Sequence, residues 1–192
     1  MNKPTIILIG GGGHCKSCID VIEHEDKFSI AGIIDVKEKI GQTVLGYPII
    51  GSDEDLNEIA KKSDNFLITI GQLKSTTLRM KLFEKIKKLG KNLPIIISPS
   101  AYVSKHTRIG EGTIIMNGAI LNASSTVGKN CIINTNALIE HDTTIENHCT
   151  FLHLQPLMEN VRLEIMFLLD QKLCWFKKLK LKKILLLVQA LW

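Results

Sequence analysis

The chain has 192 residues, 45% of them hydrophobic and 22% charged, with a net charge of +5. That length suits one or two domains, and the composition excludes wholesale disorder and fibrous proteins. Residues 151–192 carry seven basic and three acidic side chains, a balance of +4 that leaves +1 for the rest, so the sequence predicts no nucleic-acid partner for the main body. The five cysteines, at 15, 18, 131, 149 and 174, have no framework spacing and read as reduced thiols of a cytoplasmic protein. The N-terminal apolar run Thr5–Ile9 is too short for a signal peptide, and no uninterrupted apolar stretch is long enough to predict a membrane span.

Residues 1–97 alternate strand-like and helix-like patterns. Thr5–Ile9 is a β-branched run of the kind that fills a buried parallel strand. Gly10–Gly13 follows and opens a helical stretch with Cys18, Val21 and Ile22 on one face. Ser29–Ile34 predicts a second strand, ending at Asp35. Ser52, before Asp53, Glu54 and Asp55, predicts an N-cap and a helix through Lys61. Phe66–Ile70 predicts a third strand. Ser75–Leu89 predicts a helix with Leu78, Leu82, Ile86 and Leu89 inward, and Leu93–Ile97 a fourth strand. This order argues for an open, mainly parallel sheet of Rossmann-like type.

From residue 97 a different period takes over. Aliphatic side chains recur every six residues at Ile97, Val103, Ile109, Ile115, Leu121, Val127, Ile133, Ile139 and Ile145. Small or β-branched residues stand two places before each from Ala101 on. Gly110 and Gly128 directly follow ladder residues, where tight corners are expected. A helix repeats at 3.6 and a plain strand at 2, so this pattern predicts a triangular parallel β-helix over 98–150 with the aliphatic residues stacked inward.

The pattern stops after Cys149. All 14 glycines precede residue 129, while residues 151–192 hold 13 leucines and both tryptophans. An amphipathic membrane-surface tail fits Lys177–Leu187. A shifted reading frame fits better. One missing base near codon 149 or 150 would turn the Met158–Glu159 codons into glycine at 159, Met166–Phe167 into valine at 167 and Cys174–Trp175 into leucine at 175. Residues 151–192 are therefore expected to be an aberrant tail, and the β-helix to be incomplete.

Several groups could carry chemistry. Gly10, Gly11, Gly12 and Gly13, between a strand and a helix, suit a phosphate, and Asp35 at the end of the next strand suits a ribose hydroxyl. A tight turn without a ligand would have the same composition. Cys15-Lys-Ser-Cys18 has CxxC spacing but no second pair, which favours buried thiols over a redox or zinc site, and no metal is expected. In the repeat, Glu140-His141-Asp142 is the one cluster of titratable groups, and a carboxylate beside an imidazole suits a general base. His106, His148 and His153 lack such company. Asn122, Asn134 and Asn136 flank the ladder and suit either a ligand or polar rungs.

In combination, the Gly-Gly-His turn, Ser98-Pro-Ser-Ala-Tyr-Val103 and the hexapeptides with Ile139-Glu-His-Asp142 resemble the sialic acid O-acetyltransferase family. That family shape includes the UDP-4-amino-sugar N-acetyltransferases of the bacillosamine pathway. The resemblance covers residues 5–150. It implies a homotrimer of left-handed β-helices, acetyl-CoA between adjacent subunits, and a sugar or nucleotide-sugar placed by Gly10–Gly13, His14 and Asp35. It also implies His141 as the base that deprotonates a sugar hydroxyl or amine, Asp142 as the residue that orients it, and Asn134 as an acetyl-CoA-side residue. A second histidine nine residues after the base is common there; this chain has Thr150. The alternatives are a catalytically impaired nucleotide-sugar binding module and a membrane-associated protein.

Overall fold

The computed structural model describes residues 3–71 and 76–151, and the backbone of 156–157, 162–163 and 180–181. The shifted-frame and membrane-tail expectations, and His153 and Cys174, lie outside the described residues.

The N-terminal half is an α/β sheet. β1 (Thr5–Ile9) pairs in parallel with β2 (Ser29–Ile34) on one side and β5 (Asn65–Ile68) on the other. Beyond β2 lie β4 (Tyr47–Gly51), parallel to it, and β3 (Thr43–Val44), an antiparallel edge. The order is therefore β3-β4-β2-β1-β5, and the chain changes direction across the sheet at β1. Ligands of such sheets bind outside the carboxyl ends of the strands at that reversal. α1 (Gly13–Glu25) starts in the glycine run and buries Cys15, Cys18, Ile19, Val21 and Ile22.

Four sequence expectations change here. The helix expected from Ser52 to Lys61 is only α2 (Leu56–Ile59). Ser52 does not cap it, because its N–H and hydroxyl both donate to Asp55 Oδ2 at 2.9 Å and fold the preceding residues into turns. α3 (Thr77–Lys88) buries Arg79, Leu82, Phe83 and Ile86, while Leu78, expected inside, is 49% exposed. Of the strand expected at Leu93–Ile97, only β6 (Ile96–Ile97) forms, and it pairs with the second domain instead of the sheet. The segment 43–51, which gave no clear sequence pattern, supplies β3 and β4.

The second half is a left-handed parallel β-helix. Two-residue strands follow at six-residue spacing: β6, β7 (Tyr102–Val103), β8 (Arg108–Ile109), β9 (Ile114–Ile115), β10 (Ile120–Leu121), β11 (Thr126–Val127), β12 (Ile132–Ile133), β13 (Leu138–Ile139), β14 (Thr144–Ile145) and β15 (Thr150–Phe151). Each pairs with the strand 18 residues away, as in Ile96↔Ile114 and Ile132↔Thr150. β16 (Pro156–Leu157), β17 (Arg162–Leu163) and β18 (Lys180–Leu181) keep this register, so the backbone spacing runs on into the segment that the sequence set apart. From β6 to β15 the second residue of each strand points inward, and Ile115, Leu121, Val127, Ile133, Ile139 and Ile145 are all buried in one core.

From β6 to β15 the first residue of each strand points outward and gives each prism face its own chemistry. On the first face (β6, β9, β12, β15) Ile96, Ile114 and Ile132 are fully covered and share a core with Cys15, Cys18, Ile19 and Ile22 of α1. The two halves are thus joined through an outer isoleucine ladder. The second face (β7, β10, β13, β16) shows Tyr102, 61% exposed, Ile120, 40% exposed, and half-buried Leu138. The third (β8, β11, β14, β17, β18) shows Arg108, Thr126 and Thr144.

From Ile109 on, each corner has a left-handed residue three places after the ladder position. That slot holds Gly112, Gly118, Ser124, Asn130, Asn136, Asp142 and His148, with φ between 53° and 72°. Gly110 and Gly128, expected to make the corners, do something else. A Cβ on Gly110 would lie 2.6 Å from the carbonyl carbon of Gly128, and one on Gly128 would lie 2.5 Å from Asn147 N. They allow successive coils to touch. Gly128→Ala is accordingly expected to destabilise the protein by about 1–3 kcal/mol, from forced backbone separation, checked by denaturant unfolding.

Candidate active site

A cavity of about 980 Å³ opens outside the carboxyl ends of β1, β2 and β5. Gly10–Gly13 forms its floor. Gly10 has φ +106, and a Cβ there would meet Ile70 Cγ1 at 2.3 Å, so only glycine fits. The Thr69 hydroxyl donates to Gly10 O at 2.7 Å and fixes the turn. Gly12 and Gly13 have open space above them at the N-terminus of α1, an arrangement that favours an anion. His14 lines the same floor.

Asp35 fastens this loop. Its Oδ2 accepts from Gly11 N–H at 2.8 Å and from Lys39 Nζ at 3.0 Å, while Oδ1 accepts from Val36 N–H at 2.7 Å. Burial pushes the carboxyl up, but the bonds from Val36, Lys39 and Gly11 outweigh it and hold Asp35 below the ordinary carboxylate value. The group expected to meet a ribose is therefore also the clamp that aims the glycine backbone. Val36 and Leu78 make an apolar rim, each about half exposed.

The opposite wall belongs to the β-helix: Met116, Ile132, Asn134, Thr135 and Thr150. Asn134 is buried, and it stands at the corner between the first and second faces, in the same cavity as the glycine loop. Thr150 is 4% exposed, and its hydroxyl has no hydrogen-bond partner among the described residues. A buried, unsatisfied hydroxyl on a cavity wall is a group ready for a ligand.

His141 and Asp142 are elsewhere. They occupy the corner between the second and third faces, and His141 Nδ1 lies 2.7 Å from Asp142 Oδ2. Asp142 takes the left-handed corner slot, with φ 58°, which turns its carboxylate back on the preceding imidazole. With Nδ1 donating to the carboxylate, Nε2 carries the ring's lone pair. Both side chains are about half exposed. Glu140 accepts from Asn122 Nδ2 at 2.9 Å, one coil below. The structure therefore pairs His141 with Asp142 but does not bring that pair to the glycine cavity of its own chain. His106 is exposed on the same edge.

Cys15 and Cys18 are fully buried, and burial pushes both thiols up. Burial and the neighbouring Cys149 do the same to Cys131. Among the described residues, no group of three or more His, Cys, Asp or Glu is arranged to hold a metal.

Two groups escaped sequence reasoning. Arg79 is 1% exposed beneath the cavity, donating to Ile68 O, Ile70 O and Asn130 Oδ1 at 2.9, 2.7 and 2.8 Å. Burial pushes its guanidinium down to about 10. His148 Nδ1 lies 2.9 Å from Asn130 Nδ2, and its ring meets Phe83 edge-on at 5.4 Å. A signal existed for Arg79 only as a charged residue beside the apolar stripe of a helix, which ordinarily means a solvated face.

The comparisons agree with this arrangement. A family profile described as the PglD N-terminal domain matches residues 5–86, and one described as bacterial transferase hexapeptide (six repeats) matches 106–141. A UDP-N-acetylbacillosamine N-acetyltransferase of Bacillus subtilis (strain 168) is 36% identical over 115 residues, 58% of this chain and 51% of its own length. The chain thus spans about half of that relative. PerB from Caulobacter crescentus, solved with CoA and GDP-perosamine, is 35% identical with a TM-score of 0.70, over 76% of this chain and 67% of that one. The acetyltransferase domain of PglB from Neisseria gonorrhoeae, solved with acetyl coenzyme A, is 27% identical with a TM-score of 0.70, over 78% and 70%.

His148 makes this region sensitive to acid. Asn130 Nδ2 can only donate, so the facing ring nitrogen must accept and the ring is neutral. Burial lowers the His148 pKa, Glu84 opposes this and Arg79 reinforces it. A depressed histidine contributes stability that is fully present above its ordinary value near 6.5 and is lost as pH falls through the folded value. The melting temperature is expected to drop between about pH 7 and pH 5, and to drop less in His148→Gln.

Proposed function

Since this chain belongs to the hexapeptide-repeat sugar acetyltransferases with a PglD-type N-terminal domain, we propose that it transfers the acetyl group of acetyl-CoA to the amine of a nucleotide-linked amino sugar. Residues 1–97 hold the nucleotide-sugar, residues 98–150 supply the acyltransferase edge, and 151–192 read as an aberrant, frame-shifted tail. The free, unframed cysteines suit a reaction in the cytoplasm. Two relatives favour an amine acceptor over a sialic acid hydroxyl: the Bacillus subtilis protein and the perosamine enzyme of Caulobacter crescentus are N-acetyltransferases, the latter holding GDP-perosamine and CoA together.

One observation carries the reading. The glycine cavity with Asn134 and the His141–Asp142 pair lie on the two edges that bound the uncovered apolar second face. If three copies turn that face toward a common axis, the cavity edge of one meets the histidine edge of the next. Closed symmetric rings are the usual outcome of such heterologous contacts. The apolar patch of Tyr102, Ile120 and Leu138 supplies surface for association. A homotrimer therefore completes the site.

In that site Gly10–Gly13 and the α1 N-terminus receive the diphosphate, Asp35 the ribose, and His14 the sugar side. Acetyl-CoA lies in the groove between copies with Asn134 facing it, and the orphaned Thr150 hydroxyl faces the sugar in the cavity. Nε2 of His141 takes a proton from the amine as its nitrogen attacks the thioester carbonyl. The C–N bond forms, the C–S bond breaks, and the CoA thiolate leaves with a proton. Asp142 holds the tautomer and stabilises the imidazolium. Backbone N–H groups of the groove steady the oxyanion.

A second reading, a nucleotide-sugar binding module without turnover, is favoured by the cavity being formed within one chain while His141 is not part of it. Acetyl-CoA consumption with UDP- and GDP-linked 4-amino sugars, against sialic acid and CMP-sialic acid, separates the two in the chain as it stands and in one with the frame restored. Turnover is expected with an amino sugar and to fall about 100- to 10,000-fold in His141→Ala. Turnover unchanged in that variant removes His141 from the role. Sedimentation is expected to give three copies per particle, and a stable monomer would remove the shared site.

A further inference from the structure

Arg79 sits on the inward side of α3, where an aliphatic residue would complete the stripe of Leu82, Phe83 and Ile86. It has no carboxylate partner among the described residues. Every acceptor is neutral: Ile68 O, Ile70 O, Asn130 Oδ1 and, at 3.4 Å, Asn130 O. Nε has no partner among the described residues. Stability alone gives little reason for such a group, since an apolar residue of like volume commonly serves as well in a core. What a guanidinium adds is a rigid fork of fixed reach.

The two ends of the fork define its role. One end holds the last turn of chain after β5, which leads into Ile70 and Gly71 on the nucleotide side of the cavity. The other holds Asn130, a fully buried corner residue two places before Ile132 and four before Asn134 on the β-helix wall. Asn130 in turn reaches His148 one coil up. The fork thus spans the joint between the two walls, and it adds a buried positive charge behind a cavity that opens onto an α-helix N-terminus.

We propose that Arg79 is a positioning residue for the anionic ligand: through Asn130 it holds the glycine-loop wall and the β-helix wall in register, and it does so without touching the ligand. This rests on the reading of the cavity as a nucleotide-sugar site. The test uses the full chain with UDP and GDP as probes, titrated calorimetrically, together with melting temperatures. Asn130→Gly keeps the left-handed corner and removes the bridging amide. Arg79→Lys keeps the charge and removes the fork. Ile86→Val, on the same buried face of α3, is the control for loosened packing. Binding of the tighter nucleotide is expected to weaken about tenfold in Asn130→Gly and in Arg79→Lys, and to stay within about twofold in Ile86→Val at a comparable loss of melting temperature. Should Arg79→Lys not fold, Asn130→Gly decides. Unchanged binding in folded Asn130→Gly overturns this proposal alone, as does an equal loss in Ile86→Val. Wild-type protein that binds neither UDP nor GDP overturns the cavity reading and this proposal together.

Discussion

The architecture depends on one constraint: in each two-residue strand, successive side chains point to opposite sides of the wall. The inward ladder from Ile97 to Ile145 closes the prism. The outward positions are then free to differ face by face, and they do. Ile96, Ile114 and Ile132 receive α1, Arg108, Thr126 and Thr144 meet solvent, and Tyr102, Ile120 and Leu138 are left apolar and uncovered. Docking of the N-terminal half, the position of its cavity and the placement of His141 all follow from which face is which.

The cavity is built by the joining of two unlike walls. On one side, a glycine turn is held open by Gly10, whose conformation excludes a side chain, and aimed by Asp35. On the other, a coil corner presents Asn134 and the Thr150 hydroxyl. Neither wall alone encloses a ligand. Their separation is set by the isoleucine contact with α1 and by the hydrogen-bonded fork beneath.

Much of this was legible in the sequence because strict periods leave few alternatives. A six-residue period with a small residue two places ahead specifies a prism, and the run after Ile9 specifies a strand-to-helix turn. The pairing of His141 with Asp142 was readable because the two are adjacent. Three things were not. The outward ladder at Ile96, Ile114 and Ile132 is spaced by a whole coil, longer than any window used to read a strand or helix. Arg79 looked like a solvated residue, since helical periodicity cannot distinguish a charge that finds carbonyl partners from one that finds water. The corners were misplaced because glycine serves both close approach and positive φ. Gly110 and Gly128 do the first, while the second is shared among Gly, Ser, Asn, Asp and His.

The coil repeat also governs how such a chain can change in length. Each strand stacks on the one 18 residues away, so a single inserted residue within a wall would turn every later ladder side chain outward. Insertions that leave the prism intact are whole coils, or loops that leave and re-enter at a corner. The corner at His141 is therefore a place where new chain can be spliced beside the His141–Asp142 pair while the scaffold beneath keeps its phase.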